Sequence, residues 1–248
     1  MTRLRCSLRA VITSIAAIVA PASWAGPPFL TDDPEPTEVG RWEVYGPFME
    51  AEGRDGNLVG ATGVELNYGG ARDLQLTLGL PASYVRDSRG WRWGAGDIEV
   101  SAKYRFYHDP VKDVSIAVFP GISLPTGSTG MSAGEVTALL PVWAQRNIGA
   151  WSVFGGGGYA INPGTGNRDY LTGGIAVARS YGERLLLGIE ADRQGADTGG
   201  GSASTSLGLG AIYDFQGPLR LLGSAGPTYD DAGGSVGFHA FVALGLDF

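Results

Sequence analysis

Asp97-Ile98-Glu99-Val100-Ser101-Ala102-Lys103-Tyr104-Arg105-Phe106-Tyr107 is the stretch whose reading decides the fold. Successive side chains of a strand point to opposite sides, so Ile98, Val100, Ala102, Tyr104 and Phe106 share one face and Asp97, Glu99, Ser101, Lys103 and Arg105 the other. A soluble sheet buries the first set, whereas a membrane barrel turns it to lipid and keeps the charged set inside. A Lys or Arg turned toward lipid near the midplane costs roughly 2–4 kcal/mol, and this sets the inside–outside register.

Working outward, the same alternation recurs from Gly40 to the C-terminus in twelve segments, at about 41–50, 58–68, 73–86, 96–107, 113–125, 135–146, 150–161, 168–179, 184–193, 203–214, 218–228 and 236–248. Every second connection is tight and built from turn formers: Gly69 to Arg72, His108 to Lys112, Asn147 to Gly149, Ser180 to Glu183 and Phe215 to Gly217. The connections between them read as longer, as in Asp87 to Ala95, Gly127 to Gly134 and Gln194 to Ser202. The expected fold is therefore all-β, a transmembrane antiparallel β-barrel of about 12 strands, with short turns and both termini on the periplasmic side. Trp42, Tyr68, Phe106, Trp151, Phe215 and Phe248 fall toward the short turns, and Tyr84, Trp91, Trp93, Tyr170 and Tyr229 toward the long loops, as two boundary belts.

Composition agrees with many strands and turns: 41 glycines and only 17% charged residues. Residues 1–25 read as a cleaved signal peptide, with Arg3, Arg5 and Arg9 ahead of an apolar run and Ser23-Trp24-Ala25 as the cleavage site. Residues 26–39 are expected to be a periplasmic leader and 40–248 the barrel. The one cysteine, Cys6, leaves with the signal peptide and takes thiol chemistry with it. Losing three arginines makes a chain of formal charge −7 more acidic still, which argues against nucleic acid as a partner.

The last segment places Phe238, Ala240, Val242, Leu244, Leu246 and Phe248 on one face. Phe248, Leu246 and Leu244 resemble the C-terminal signal read by the barrel insertion machinery, which with outer-membrane lipids and a small-molecule solute completes the expected partners. Phe241 and Ala243 replace the polar residue and glycine usual in that signal.

Pro28-Phe29-Leu30-Thr31-Asp32-Asp33-Pro34, Gly40-Arg41-Trp42-Glu43, Glu65-Leu66-Asn67-Tyr68-Gly69, Leu78-Gly79-Leu80-Pro81, Gly96-Asp97-Ile98-Glu99-Val100 with Lys103-Tyr104-Arg105-Phe106, and Leu124-Pro125-Thr126-Gly127 form a set of motifs. Together they resemble the outer-membrane transporter family named for the meta-cleavage pathway of phenol degradation. The resemblance is dense to about residue 130 and thin afterward. It implies a barrel passing small, often aromatic or apolar compounds, and it carries over no catalytic residue.

The inward face is expected to carry Glu43, Glu65, Asp97, Glu99, Lys103, Arg105, Arg184, Glu190, Asp192, Arg220, His239 and Asp247. These charges must face water or one another, as an open pore or as a packed ion-pair plug. His108, read into a turn, and His239, read into the lumen, do not converge, so the Ser–His pair of a barrel lipid hydrolase has no place. Asp32, Asp33, Glu35 and Glu38 lack the spacing of a metal site and read as part of a mobile leader. Gly155 to Gly158 lacks the strand-to-helix context of a phosphate loop. No metal, cofactor or catalytic residue is assigned.

The function expected is passive diffusion of small solutes through the barrel, with a plugged structural or surface-interaction barrel and a lipid hydrolase as alternatives. Proline removes a ladder hydrogen bond, so Pro47, Pro81, Pro120, Pro141 and Pro227 are expected at bulges, rims or breaks. Pro81 and Pro120 are the candidate lateral exit for an apolar solute.

Overall fold

The computed structural model describes residues 28–234 and 236–248; the signal-peptide reading of 1–25 and Cys6 lie outside them. Fourteen strand segments form one sheet: β1 Trp42–Arg54, β2 Asn57–Ala71, β3 Leu74–Asp87, β4 Gly90–Ala95, β5 Ile98–Asp109, β6 Val114–Val118, β7 Gly121–Leu124, β8 Thr137–Ile148, β9 Trp151–Ile161, β10 Tyr170–Tyr181, β11 Leu185–Gln194, β12 Ser204–Asp214, β13 Leu219–Asp230 and β14 Gly237–Asp247. β4 and β5 form one barrel strand interrupted at Gly96-Asp97, and β6 and β7 form another interrupted at Phe119-Pro120, which makes a closed antiparallel barrel of twelve. Closure is direct, since β1 pairs with β2 on one side and β14 on the other, Val44 standing opposite both Leu66 and Leu246.

Burial is inverted relative to a soluble protein. Leu209 and Ile189 are 69% and 58% exposed on the outer face, whereas Lys103 and Glu190 are 3% and 5% exposed inside. An all-round belt of exposed apolar side chains over polar buried ones is the pattern of a barrel surrounded by lipid. Trp42 packs on Tyr68 at 4.7 Å near the short turns, and Tyr84, Trp91 and Trp93 form an outer cluster near the other rim, Tyr84 to Trp93 at 4.8 Å.

Two expectations are corrected here. Asp87 to Ala95 is a tight hairpin and not a long loop, because Trp91 and Trp93 continue the outward alternation and pair with Arg86 and Tyr84. Tyr170 lines the lumen and not the lipid boundary, since its register places it beside Ala160, on the same face as buried Ala176 and Ala178. The prolines fall at irregularities as expected: Pro47 at the register shift of β1, Pro141 opposite the β6–β7 interruption, and Pro227 where the pairing with β12 lapses between Ser206–Thr228 and Leu209–Ala225. On their other side Pro141 and Pro227 stand in register opposite Gly158 and Phe238, where the strand forgoes one N–H.

The loop between β9 and β10 is tied by Asp169, which accepts the Asn162 backbone N–H at 2.8 Å and the Tyr159 hydroxyl at 2.9 Å. Those two donors hold its carboxyl below the usual carboxylate range. A lowered value means that the tie is complete above the ordinary carboxylate range and is lost as pH falls through the lowered one. Amide-exchange protection at Asn162 is therefore expected to fall on acidification and to become pH-independent in Asp169→Asn; unchanged acid sensitivity in that variant would assign the effect elsewhere.

Candidate functional site: a lumen threaded by the N-terminal segment

Residues 28–38 lie inside the barrel. Just before β1 the chain is held to the short-turn rim, where the Gly40 N–H donates to the Gly69 carbonyl at 2.7 Å. From there each part of the segment has a partner on the wall. Thr37 donates its N–H and hydroxyl to Gln75 Oε1 at 2.9 and 3.0 Å. Arg105 pairs with Glu35 and, at 2.6 Å, with Asp73. The Lys103 ammonium stands 3.0 Å from Asp32 and 3.9 Å from Asp33. Glu190 accepts the N–H groups of Leu30 and Thr31 at 3.2 and 3.0 Å, and Ser224 donates to the Pro28 carbonyl at 2.5 Å.

The reading of 26–39 as a mobile leader outside the barrel is therefore overturned for the described residues: Thr31 and Asp33 are fully buried. Carboxylates that look solvated when read along the chain become the counter-charges of Lys103 and Arg105, which the pleat had already pointed inward.

The deepest anchor is apolar. Phe29 meets Phe154 edge-on at 5.7 Å and packs against a lumen cluster containing Leu186, Ile212 and Leu222. Its ring fills a notch over Gly188 and Gly210, where an added Cβ would come within 2.6 and 2.4 Å of ring carbons. Sequence reading missed this cluster by treating the lumen face as uniformly polar. The one available signal was the apolar runs Leu185-Leu186-Leu187 and Leu221-Leu222, which fill both faces of their strands.

The residues assigned inward fall into groups. Glu190, Lys103 and Arg105 hold the N-terminal segment. Glu43, Arg220 and Asp247 line the short-turn mouth, where Arg220 pairs with Asp247 and Glu43 accepts the Tyr45 hydroxyl at 3.1 Å. Glu65, bonded by Asn67 at 2.8 Å, together with Glu99 and Asp192, lines cavities nearer the long loops. His239 is buried within 3.5 Å of the Thr228 hydroxyl. Asp97 borders the smaller of the cavities nearer the long loops from the β4–β5 interruption, where it also accepts the N–H groups of Gly127 and Ala133, both at 2.8 Å, and so ties down a loop. One residue departs from the arrangement: Arg184 lies exposed in the turn before β11.

His108 is also misplaced by the sequence reading. It is not in the turn but at the end of β5, where its Nδ1 meets the Ser115 hydroxyl at 2.9 Å. Counting back equally from the tight Pro110–Asp113 connection would have paired them. Ser115 is buried on the lumen side and not turned to lipid, and no carboxylate bonds His108 among the described residues. The pair lacks the orienting acid and the lipid-facing nucleophile that a lipid hydrolase needs.

The gap expected at Pro81 and Pro120 is bridged. Proline loses only its N–H and keeps its carbonyl: Pro81 O accepts Gly96 N at 2.9 Å, and Pro120 O accepts Ala102 N at 3.1 Å. Pro81 faces a one-residue excess on the neighbouring strand, between the Gly79–Glu99 and Ala82–Ala95 pairs, and such a bulge bends the wall without opening it.

The N-terminal segment narrows the lumen but leaves room on both sides of itself. A cavity of about 930 Å³ lies at the short-turn mouth, bordered by Glu35 to Val39, and cavities of about 480 and 310 Å³ lie nearer the long loops. Fold and site together define an outer-membrane-type β-barrel whose N-terminal segment threads its own lumen.

Solved structures agree on that fold. An outer-membrane channel from Pseudomonas putida F1 superposes with a TM-score of 0.68 at 15% identity, over 87% of this chain and 98% of that one. KdgM porin gives 0.57 at 13% identity, over 83% and 99%. The translocator domain of the autotransporter NalP from Neisseria meningitidis gives 0.56 at 15%, over 85% and 90%. No family model and no curated protein matches the chain, so its likeness to the phenol-pathway transporters rests on the motifs quoted above.

Proposed function

We propose that this chain is a passive outer-membrane channel for small solutes and not an enzyme. The observation that carries the reading is a polar, charge-lined lumen which the N-terminal segment constricts without filling. Water-filled space beside fixed charges is what a diffusion channel needs, and the fold is shared with a solved channel and a porin. Small aromatic or apolar solutes are the class suggested by the phenol-pathway resemblance. Both termini face the periplasm in this reading, with a signal peptide at 1–25 and with Phe248, Leu246 and Leu244, all on the outer face, presented to the insertion machinery.

A second reading, a plugged structural or surface-interaction barrel, is favoured by the number of bonds holding the segment to the wall. Single-channel recording in planar bilayers decides between them. Discrete conductance steps are expected; silent bilayers holding folded protein would overturn the channel and leave the plug.

A further inference from the structure

We propose that the part of the lumen between the N-terminal segment and the long loops binds a small organic cation with an aromatic or apolar body, of the arylalkylammonium class. The inference rests on the channel reading and names a solute for it.

The first observation is charge. The 480 Å³ cavity is lined by Asp32, Glu99 and Asp192, and the adjoining 310 Å³ cavity by Glu50, Glu65, Asp97 and again Glu99; no Lys or Arg lines either one. The nearest ammonium, Lys103, is committed to Asp32 and Asp33. Among the described residues no ion pair engages Glu50, Glu65, Glu99 or Asp192; Arg105 and Arg220 lie at the short-turn mouth, and Arg54, which borders a third cavity at the long-loop end, is paired with Asp230. Carboxylates of one sign in a narrow, low-dielectric-walled space concentrate cations and repel anions.

The second observation is aromatic. Trp143, Tyr170 and Phe119 line the larger cavity with those carboxylates. Trp143 is about 5% exposed, and among the described residues its Nε1 has no hydrogen-bond partner, although a buried indole N–H ordinarily finds one. For a cation, what Trp143 offers is its ring, the indole being the best of the aromatic faces that line the cavity. Phe119 already shows the interaction expected, with the Lys103 ammonium 4.8 Å from its ring centroid. A volume of about 480 Å³ suits a single-ring solute. An inorganic cation would use the carboxylates alone, whereas an organic one uses rings and carboxylates together.

The test is calorimetric titration of the full chain in detergent with benzyltrimethylammonium, and with benzoate as its anionic counterpart of similar size. Saturable binding of the cation is expected, with none of the anion. Glu99→Gln combined with Asp192→Asn should weaken it at least about tenfold, and Trp143→Phe should weaken it by a smaller factor. The thermal shift of the SDS-resistant barrel on gels verifies that the variants are folded. Equal binding of benzoate, or full affinity in the folded double variant, would overturn the proposal. Binding without conductance would remove the channel and keep this site; conductance without binding would remove the site and keep the channel.

Discussion

Deleting residues 28–36 should raise single-channel conductance at least about twofold, with the barrel still assembling. An extended chain has a cross-section of roughly 50 Å², taking about 4.8 Å as strand spacing and about 10 Å as sheet spacing, a sizeable share of a lumen closed by twelve strands. The wall does not need the segment, since its ladder closes through β1 and β14 by backbone bonds alone. Lys103 and Glu190 lose their partners on deletion while Arg105 keeps Asp73, and water entering the widened lumen solvates the two that are freed. The usual penalty of about 3–5 kcal/mol for orphaning a buried charge is then largely avoided. A full-length companion is Gly210→Leu, whose side chain takes the notch of Phe29 and should displace the ring from Phe154. Conductance at the wild-type level in both variants would show that the segment does not limit the path.

Charge substitutions on the two faces of one wall should behave differently. Ile189→Arg and Leu209→Arg place a guanidinium on the outer face halfway along β11 and β12, and each is expected to cost roughly 2–4 kcal/mol of refolding free energy in lipid. Ile98→Glu and Val100→Glu should impair assembly in the same sense, with a smaller penalty. Inside, Lys103→Glu and Arg105→Glu should leave assembly near wild type and shift ion selectivity toward cations. The Lys103 change acts twice, because it removes a positive charge from the path and sets a carboxylate against Asp32 and Asp33, which should loosen the segment. Refolding titrations and reversal potentials read the two effects separately. Equal tolerance at Ile189, Leu209, Lys103 and Arg105 would invalidate the inside–outside assignment.

The architecture was legible in the residues themselves because strand parity is a local property. Whether Val100 and Lys103 face apart depends on nothing beyond the pleat, and the cost of a charge in lipid then says which face is inside. Twelve barrel strands and the outward row ending at Leu246 and Phe248 follow from that alone. Tight turns were equally legible, as at Gly149, because positive φ has its own residue preferences. Where the alternation was diluted by glycine and aspartate, as from Asp87 to Ala95, the strand was hidden and only its pairing with β3 reveals it.

The contents of the lumen were decided by the tertiary structure. Pro28 is held by Ser224, 196 positions away, and Thr31 by Glu190, 159 away. Nothing local to Asp32, Asp33 and Glu35 distinguishes a solvated acidic segment from one seated against Lys103 and Arg105. The sequence alone determined the barrel and which side of it is polar, because the pleat and the lipid act on each strand separately. That the acidic segment enters that polar interior, and leaves unpaired carboxylates beside Trp143 and Tyr170, required the closed wall, because only closure brings β3, β5, β11 and β13 around one chain.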